Sequence, residues 1–209
     1  THPSRLRKGA IGGGEQHLPV EQHVEAVALA PEPEPVPKRW QLEVEIGSLR
    51  VTTLNVKDIG PQSFLYLTYS VVNNSGQDVL FAPMWEFSNG QGKILRSGRD
   101  VPQEVTSQIV SSLQNSFVQD QIEIIGELLQ GEENGKQGVV VWPLADMQPQ
   151  RITVYAAGLS GETRTITAPD GKTQIVLRKT LMLDYDAPGS LLNQGAQPLP
   201  VKTRSWILR

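Results

Sequence analysis

Asp184 and Asp186 stand two residues apart in the run LMLDYD, and residues i and i+2 of a strand point to the same face. Two carboxylates placed that way have two chemical uses. They share a proton between them, or they offer hard oxygen ligands to calcium. The competing reading is a solvated strand end, because Ala187-Pro188-Gly189 follows at once. The other acidic cluster is Glu132-Glu133-Asn134, inside Gly131 to Gly135, a composition that places it at the tip of a turn.

Other chemistries are thinly supplied. A Ser–His–acid arrangement needs an imidazole held by a fold, and all three histidines (His2, His17, His23) lie in the first 39 residues. Cysteine is absent, so disulfides, thiol chemistry and thiolate metal sites are absent too. Two segments come near a phosphate loop and fail. GEENGK, Gly131 to Lys136, is one residue short and continues with Gln137 where Ser or Thr is needed; GLSGET, Gly158 to Thr163, has no lysine. Asn73-Asn74-Ser75 is formally a glycosylation sequon, of consequence only in a secreted eukaryotic protein. These observations predict a protein that is not an enzyme and that carries no cofactor and no metal.

A binding role would draw on rings instead. Carbohydrate-binding sandwiches present planar side chains on one face, whereas core rings alternate inward. Trp40 and Trp142 fit the inward alternation. Trp85, two residues from Pro83, has more prospect of exposure than the other rings, but its expected place is still the core.

The elements that must position these residues read as strands. Trp40, Leu42, Val44 and Ile46 alternate with Gln41, Glu43 and Glu45, the pattern of a half-buried strand. Val51 to Val56 continues it or begins another. FLYLTYSVV, Phe64 to Val72, predicts a central strand buried on both faces, ended by the turn composition NNSGQD. Val79 to Phe87 contains Pro83, which predicts a bulge or an edge. Ser88 to Gly92 closes a hairpin onto Lys93 to Arg96. Ile122 to Leu129, Gly138 to Trp142, Arg151 to Leu159 and Gln174 to Tyr185 follow as further strands, and Ser205 to Arg209 as a last short one. Pro169-Asp170-Gly171 is a turn signal between two of them.

One helix interrupts the series. Asp100 stands three residues before Gln103, Pro102 falls in the first turn, and Val105, Ile109, Val110 and Leu113 follow at helical spacing. This predicts a capping box leading into one apolar stripe, with the helix across an open end of the strands. About eight or nine strands at this spacing predict an all-β fold, a two-sheet antiparallel sandwich with one short inserted helix.

The first 39 residues are different in kind. All twelve aromatic residues, four each of Trp, Tyr and Phe, lie from Trp40 onward, while six of the fifteen prolines precede it. A segment without rings to bury does not offset the roughly 1–2 kcal/mol of entropy lost per ordered residue. Residues 1–39 are therefore expected to be a disordered N-terminal tail, and residues 40–209 the sandwich domain. Within the tail, Leu18, Val20, Val24, Val27 and Leu29 recur near helical spacing and are the candidate partner contacts; alone in water so short a helix is marginal. PEPEPVP, Pro31 to Pro37, predicts a polyproline spacer of roughly 20 Å.

The net charge of −3 and the pI near 5.7 give no basic stripe for nucleic acid. Arg5, Arg7 and Lys8 form a short basic group only, and the tail's five acids equal its five bases, which counts against a viral coat protein packaging nucleic acid. No run of 18 apolar residues predicts a transmembrane segment. The first residue is Thr1, and the sequence leaves open whether a Met, a signal or an anchor preceded it.

YLTYSVVNNSGQDVLFAP, Tyr66 to Pro83, resembles the strand–turn–strand signature of bacterial extracytoplasmic immunoglobulin-like modules. GELLQGEENGKQGVVVW, Gly126 to Trp142, and ITVYAAGLSGE, Ile152 to Glu162, resemble later strands of the same modules. The inserted helix and the long C-terminal stretch depart from a minimal seven-stranded module. The resemblance implies an immunoglobulin-like sandwich, periplasmic or extracellular, that binds or assembles without catalysis. The functional expectation is a structural or interaction subunit of a bacterial envelope or extracellular assembly, with protein partners reached partly through the tail. The alternative is a glycan- or calcium-binding module, with Trp85, Asp184 and Asp186 as ligand candidates.

Overall fold

The computed structural model describes residues 30–33, 35, 39–89, 92–144, 151–186, 191 and 197–209. The tail residues Leu18, Val20, Val24, Val27 and Leu29 lie outside the described residues, as does most of the spacer.

Alternation drives the first sheet. β1 (Glu43–Val56) and β2 (Gly60–Asn73) form a long antiparallel hairpin, closed by Asp58 and Gly60 at positive φ. β2 then pairs β8 (Gly131–Pro143), which pairs the short β6 (Val118–Gln119) in parallel. The antiparallel expectation thus holds except at this one pair. Gly131 to Gly135, read from the sequence as a turn, belongs to β8: β2 reaches as far as Asn73 and pairs Gly131. The expected central strand is found in β2. Leu65, Leu67, Tyr69 and Val71 face inward, while Phe64 on the other face is also buried.

The chain changes sheet at Ala82-Pro83, where a missing proline N–H breaks the ladder. β3 (Val79–Phe81) pairs β7 (Gly126–Leu128) in a separate two-stranded sheet. β4 (Met84–Ser88) enters the second large sheet, beside β5 (Ile94–Arg96) and β9 (Arg151–Ala157). That sheet runs β10 (Thr163–Thr167), β11 (Gln174–Asp186), β9, β4, β5, with β12 (Val201–Leu208) also on β11. β9 and β10 pair successive stretches of β11. Trp40 to Leu42 run antiparallel beside Leu159 to Gly161: Gly161 N–H donates to Trp40 O and Leu42 N–H to Leu159 O, each at 2.9 Å. The β10–β11 hairpin is turned by Asp170, which accepts from the N–H groups of Lys172 and Thr173.

The two large sheets pack face to face. Leu65, Leu67 and Trp142 from the first meet Trp85, Phe87 and Leu183 from the second. The two-stranded sheet adds Val79, Phe81 and Leu128 to the same core.

The helix α1 (Gln103–Ser112) does not cross an open end of the sandwich. It lies on the outer face of the first sheet, where Val105 and Ile109 pack on Val56, Phe64, Val139 and Val141 in a second core. The apolar outer positions of β2 and β8 explain this placement. The expected capping box is not formed either. The N-cap is Pro102, without a side-chain cap; Asp100 sits at φ 59°, and Gln103 instead donates to Asp120 at 3.2 Å. Ile122 to Leu129, expected as one strand, is a turn followed by β7, because Asp120 accepts the N–H groups of Ile122 and Glu123 at 2.7 and 2.9 Å.

Candidate functional site

Asp184 lies on the outer face of the second sheet, directly opposite Thr153 of β9 and Thr203 of β12. One carboxylate oxygen accepts from Thr153 Oγ1 at 2.6 Å; the other accepts from Arg151 Nη2 at 2.9 Å and Thr203 Oγ1 at 3.0 Å. Burial alone would raise its pKa, but these hydrogen bonds and the Arg151 charge outweigh it and hold the group below its ordinary value. Asp186 shares the face, as the spacing predicts, and is engaged separately by Lys202 at 2.9 Å in an exposed ion pair. The two aspartates therefore do not face one another as a proton-sharing pair. Among the described residues no group of three or more His, Cys, Asp or Glu is arranged to hold a metal ion. Glu132 and Glu133 are exposed in a register shift of β8, unpaired between the partners Asn73–Gly131 and Val71–Lys136.

Trp85 lies in the core at 1 % exposure, its ring 4.6 Å from that of Tyr69. The core placement is the one the structure realises, and the ring presents no face to solvent.

Three features were not anticipated. The first is a buried ion pair, Lys179 Nζ to Glu162 Oε2 at 2.8 Å, with Trp206 over the ammonium. Its sequence signal is parity: Lys179 falls on the inward face of β11 with Leu181, Leu183 and Tyr185. The second is an exposed apolar patch on the two-stranded sheet. Leu80 is directly opposite Glu127, and Ile125 and Leu129 flank Glu127 on the same face. Leu80 is 74 % exposed and the neighbouring Ile122 68 %. Asp78, Glu123 and Glu127 supply acid in the flanking segments, and Lys136 is also close, its ammonium donating to Ile124 O at 3.0 Å. IEIIGELL carries the composition of this patch, but its apolar residues read equally as core.

The third is a cleft of about 430 Å³ on the first sheet, between the end of α1 and β1. Its floor is polar, with Glu45, Thr68, Ser70 and Gln137, and its walls include Leu113 and Ile46. A register shift between Ile46 and Leu49 opens this side of β1.

No protein-family model, no curated protein and no solved structure matches this chain.

Proposed function

We propose that this protein works by contact and not by catalysis, as a structural or interaction subunit of a bacterial envelope or extracellular assembly. The reading includes an immunoglobulin-like arrangement of the sandwich and a periplasmic or extracellular location. The observation that carries it is the apolar patch of Leu80, Ile122, Ile125 and Leu129. The β3–β7 pair buries Val79, Phe81 and Leu128 on one face and presents Leu80 on the other, with Ile125 and Leu129 exposed at the two ends of β7 and Ile122 exposed in the turn before it. Contiguous exposed apolar side chains with a polar surround mark protein-contact surfaces. The surrounding carboxylates favour a partner face with apolar and basic side chains. Leu18, Val20, Val24, Val27 and Leu29 of the tail supply a second contact in the same proposal.

Cross-linking from the native source, with the intact protein, a Leu80→Lys/Ile122→Lys variant and a chain lacking residues 1–37, tests this. Stoichiometric protein partners lost from the patch variant, whose melting temperature stays unchanged, support the reading. An unchanged partner profile in both variants removes it.

A further inference from the structure

The outer face of the first sheet is apolar under α1 and polar where α1 stops. Glu45 of β1 is the direct partner of Ser70 in β2, and Ser70 of Gln137 in β8. Three polar side chains thus form one row across three strands, neighbours about 5 Å apart. Thr68 lies one outward position along β2 from this row. Gly47 leaves its hydroxyl uncovered, since a Cβ at that position would fall onto Thr68 Oγ1.

The hydrogen-bonding state of this floor is specific. Gln137 Oε1 accepts from Asn115 Nδ2 at 2.7 Å, and Asn115 Oδ1 accepts the Phe117 N–H at 3.0 Å. That chain orients the Gln137 amide and leaves its NH2 as a donor. The side chains of Glu45, Thr68 and Ser70 make no hydrogen bond among the described residues. Glu45 is the one charged side chain among the residues lining the cleft. α1 ends at Leu113 in the cleft wall with no basic residue in its last turn, so the negative pole of the helix adds to the Glu45 carboxylate.

We propose that this cleft binds a saccharide unit bearing an amino group. Its volume is of the size that holds a small ligand. The row supplies acceptors and hydroxyls about 5 Å apart, near the separation of alternate equatorial substituents on a sugar ring, with the Gln137 amide as the fixed donor. Glu45 and the helix end attract an ammonium and repel a sugar acid. The inference is independent of the apolar patch, which lies on a different sheet.

An amide NMR titration of the full chain tests it with four probes: the glucosamine disaccharide, the matching glucose disaccharide, glucuronic acid and the diamine cadaverine. Saturable shifts at Gly47, Thr68, Ser70, Asn115 and Gln137 are expected with the glucosamine disaccharide, weaker ones with the glucose disaccharide and none with glucuronic acid. Glu45→Gln, an exposed change, is expected to abolish the preference for the amino sugar over the neutral one. Ser70→Val/Gln137→Leu is expected to weaken binding about tenfold or more in protein whose amide spectrum shows it folded. No saturable shift with either disaccharide at millimolar concentrations overturns the proposal. Shifts from cadaverine equal to those from the amino sugar overturn it as well, because they reduce the cleft to a site for amine charge.

Discussion

Lys179 and Glu162 meet at 2.8 Å with both side chains more than nine-tenths withdrawn from solvent, at the point where β11 leaves the sandwich to form the β10–β11 hairpin. The backbone repeats the connection, Lys179 N–H donating to Glu162 O at 3.0 Å. A buried pair contributes little against an apolar replacement of both groups, but removal of one partner takes from the other its charge-assisted hydrogen bond. Lys179→Met alone is expected to lower unfolding free energy by about 3–5 kcal/mol. Lys179→Met/Glu162→Leu should recover most of that loss. Urea unfolding of the two single variants and the double variant measures the difference, and equal loss in all three would contradict the account.

Asp184 gives the stability a defined acid limb. Its native pKa is below the ordinary value, so on acidification the unfolded chain takes up the proton first, near pH 4. The contribution is complete above that pH and is lost as the pH falls through the lower native value. Asp184→Asn is expected to flatten this limb and to cost about 2–3 kcal/mol at neutral pH, through weaker bonds to Arg151, Thr153 and Thr203. Unfolding free energies measured from neutral pH into the acid range check both parts.

Trp85 separates packing from recognition. Truncation to Ala in the core is expected to cost about 3–5 kcal/mol, and Trp85→Phe less, since a ring remains against Tyr69. Neither change should alter saccharide binding at the cleft once folded protein is compared. Loss of binding in the well-folded Phe variant would show that Tyr69, which lines the cleft and packs on Trp85, takes part in recognition.

The second core makes a distinct prediction. Ile109→Ala is expected to cost about 2–5 kcal/mol and to raise hydrogen exchange along residues 103–112 more than in β11. Its effect should add to that of Leu183→Ala, because the two side chains belong to separate clusters. A coupling well above about 0.5 kcal/mol would show that α1 and the inter-sheet core share one packing unit.

Much of the β architecture was legible because alternation and turn chemistry act locally. Phe64 to Val72, the Asp170-Gly171 turn and the break at Pro83 are each set by residues within a few positions. The misread elements depend on partners far along the chain. Gly131 to Gly135 is carried within β8 because Asn73 of β2 pairs Gly131, the four residues after it filling a register shift before Lys136 pairs Val71. Ile122 to Leu129 is bent by the Asp120 carboxylate, and α1 starts without Asp100 because Gln103 turns to Asp120 instead. The location of α1 follows from which face of β2 and β8 is apolar at both ends of a pairing, a register that no single segment encodes. The cleft was not legible at all. It exists where a helix ends over a sheet, so Glu45, Ser70 and Gln137 become neighbours only after three strands are aligned.

The β10–β11 hairpin has one further property. Lys179 N–H binds Glu162 O, so even-numbered residues here turn their backbone groups to β11, while Gly161 turns its N–H outward to Trp40. By the same parity Thr163, Thr165 and Thr167 direct their N–H and C=O groups outward, where the described residues provide no strand. β10, TRTIT, has neither a proline nor a bulge to blunt that row, and Arg164 is its one charge. An unblunted ladder of this kind is a template for strand addition. Crowding many copies together would favour pairing along this edge.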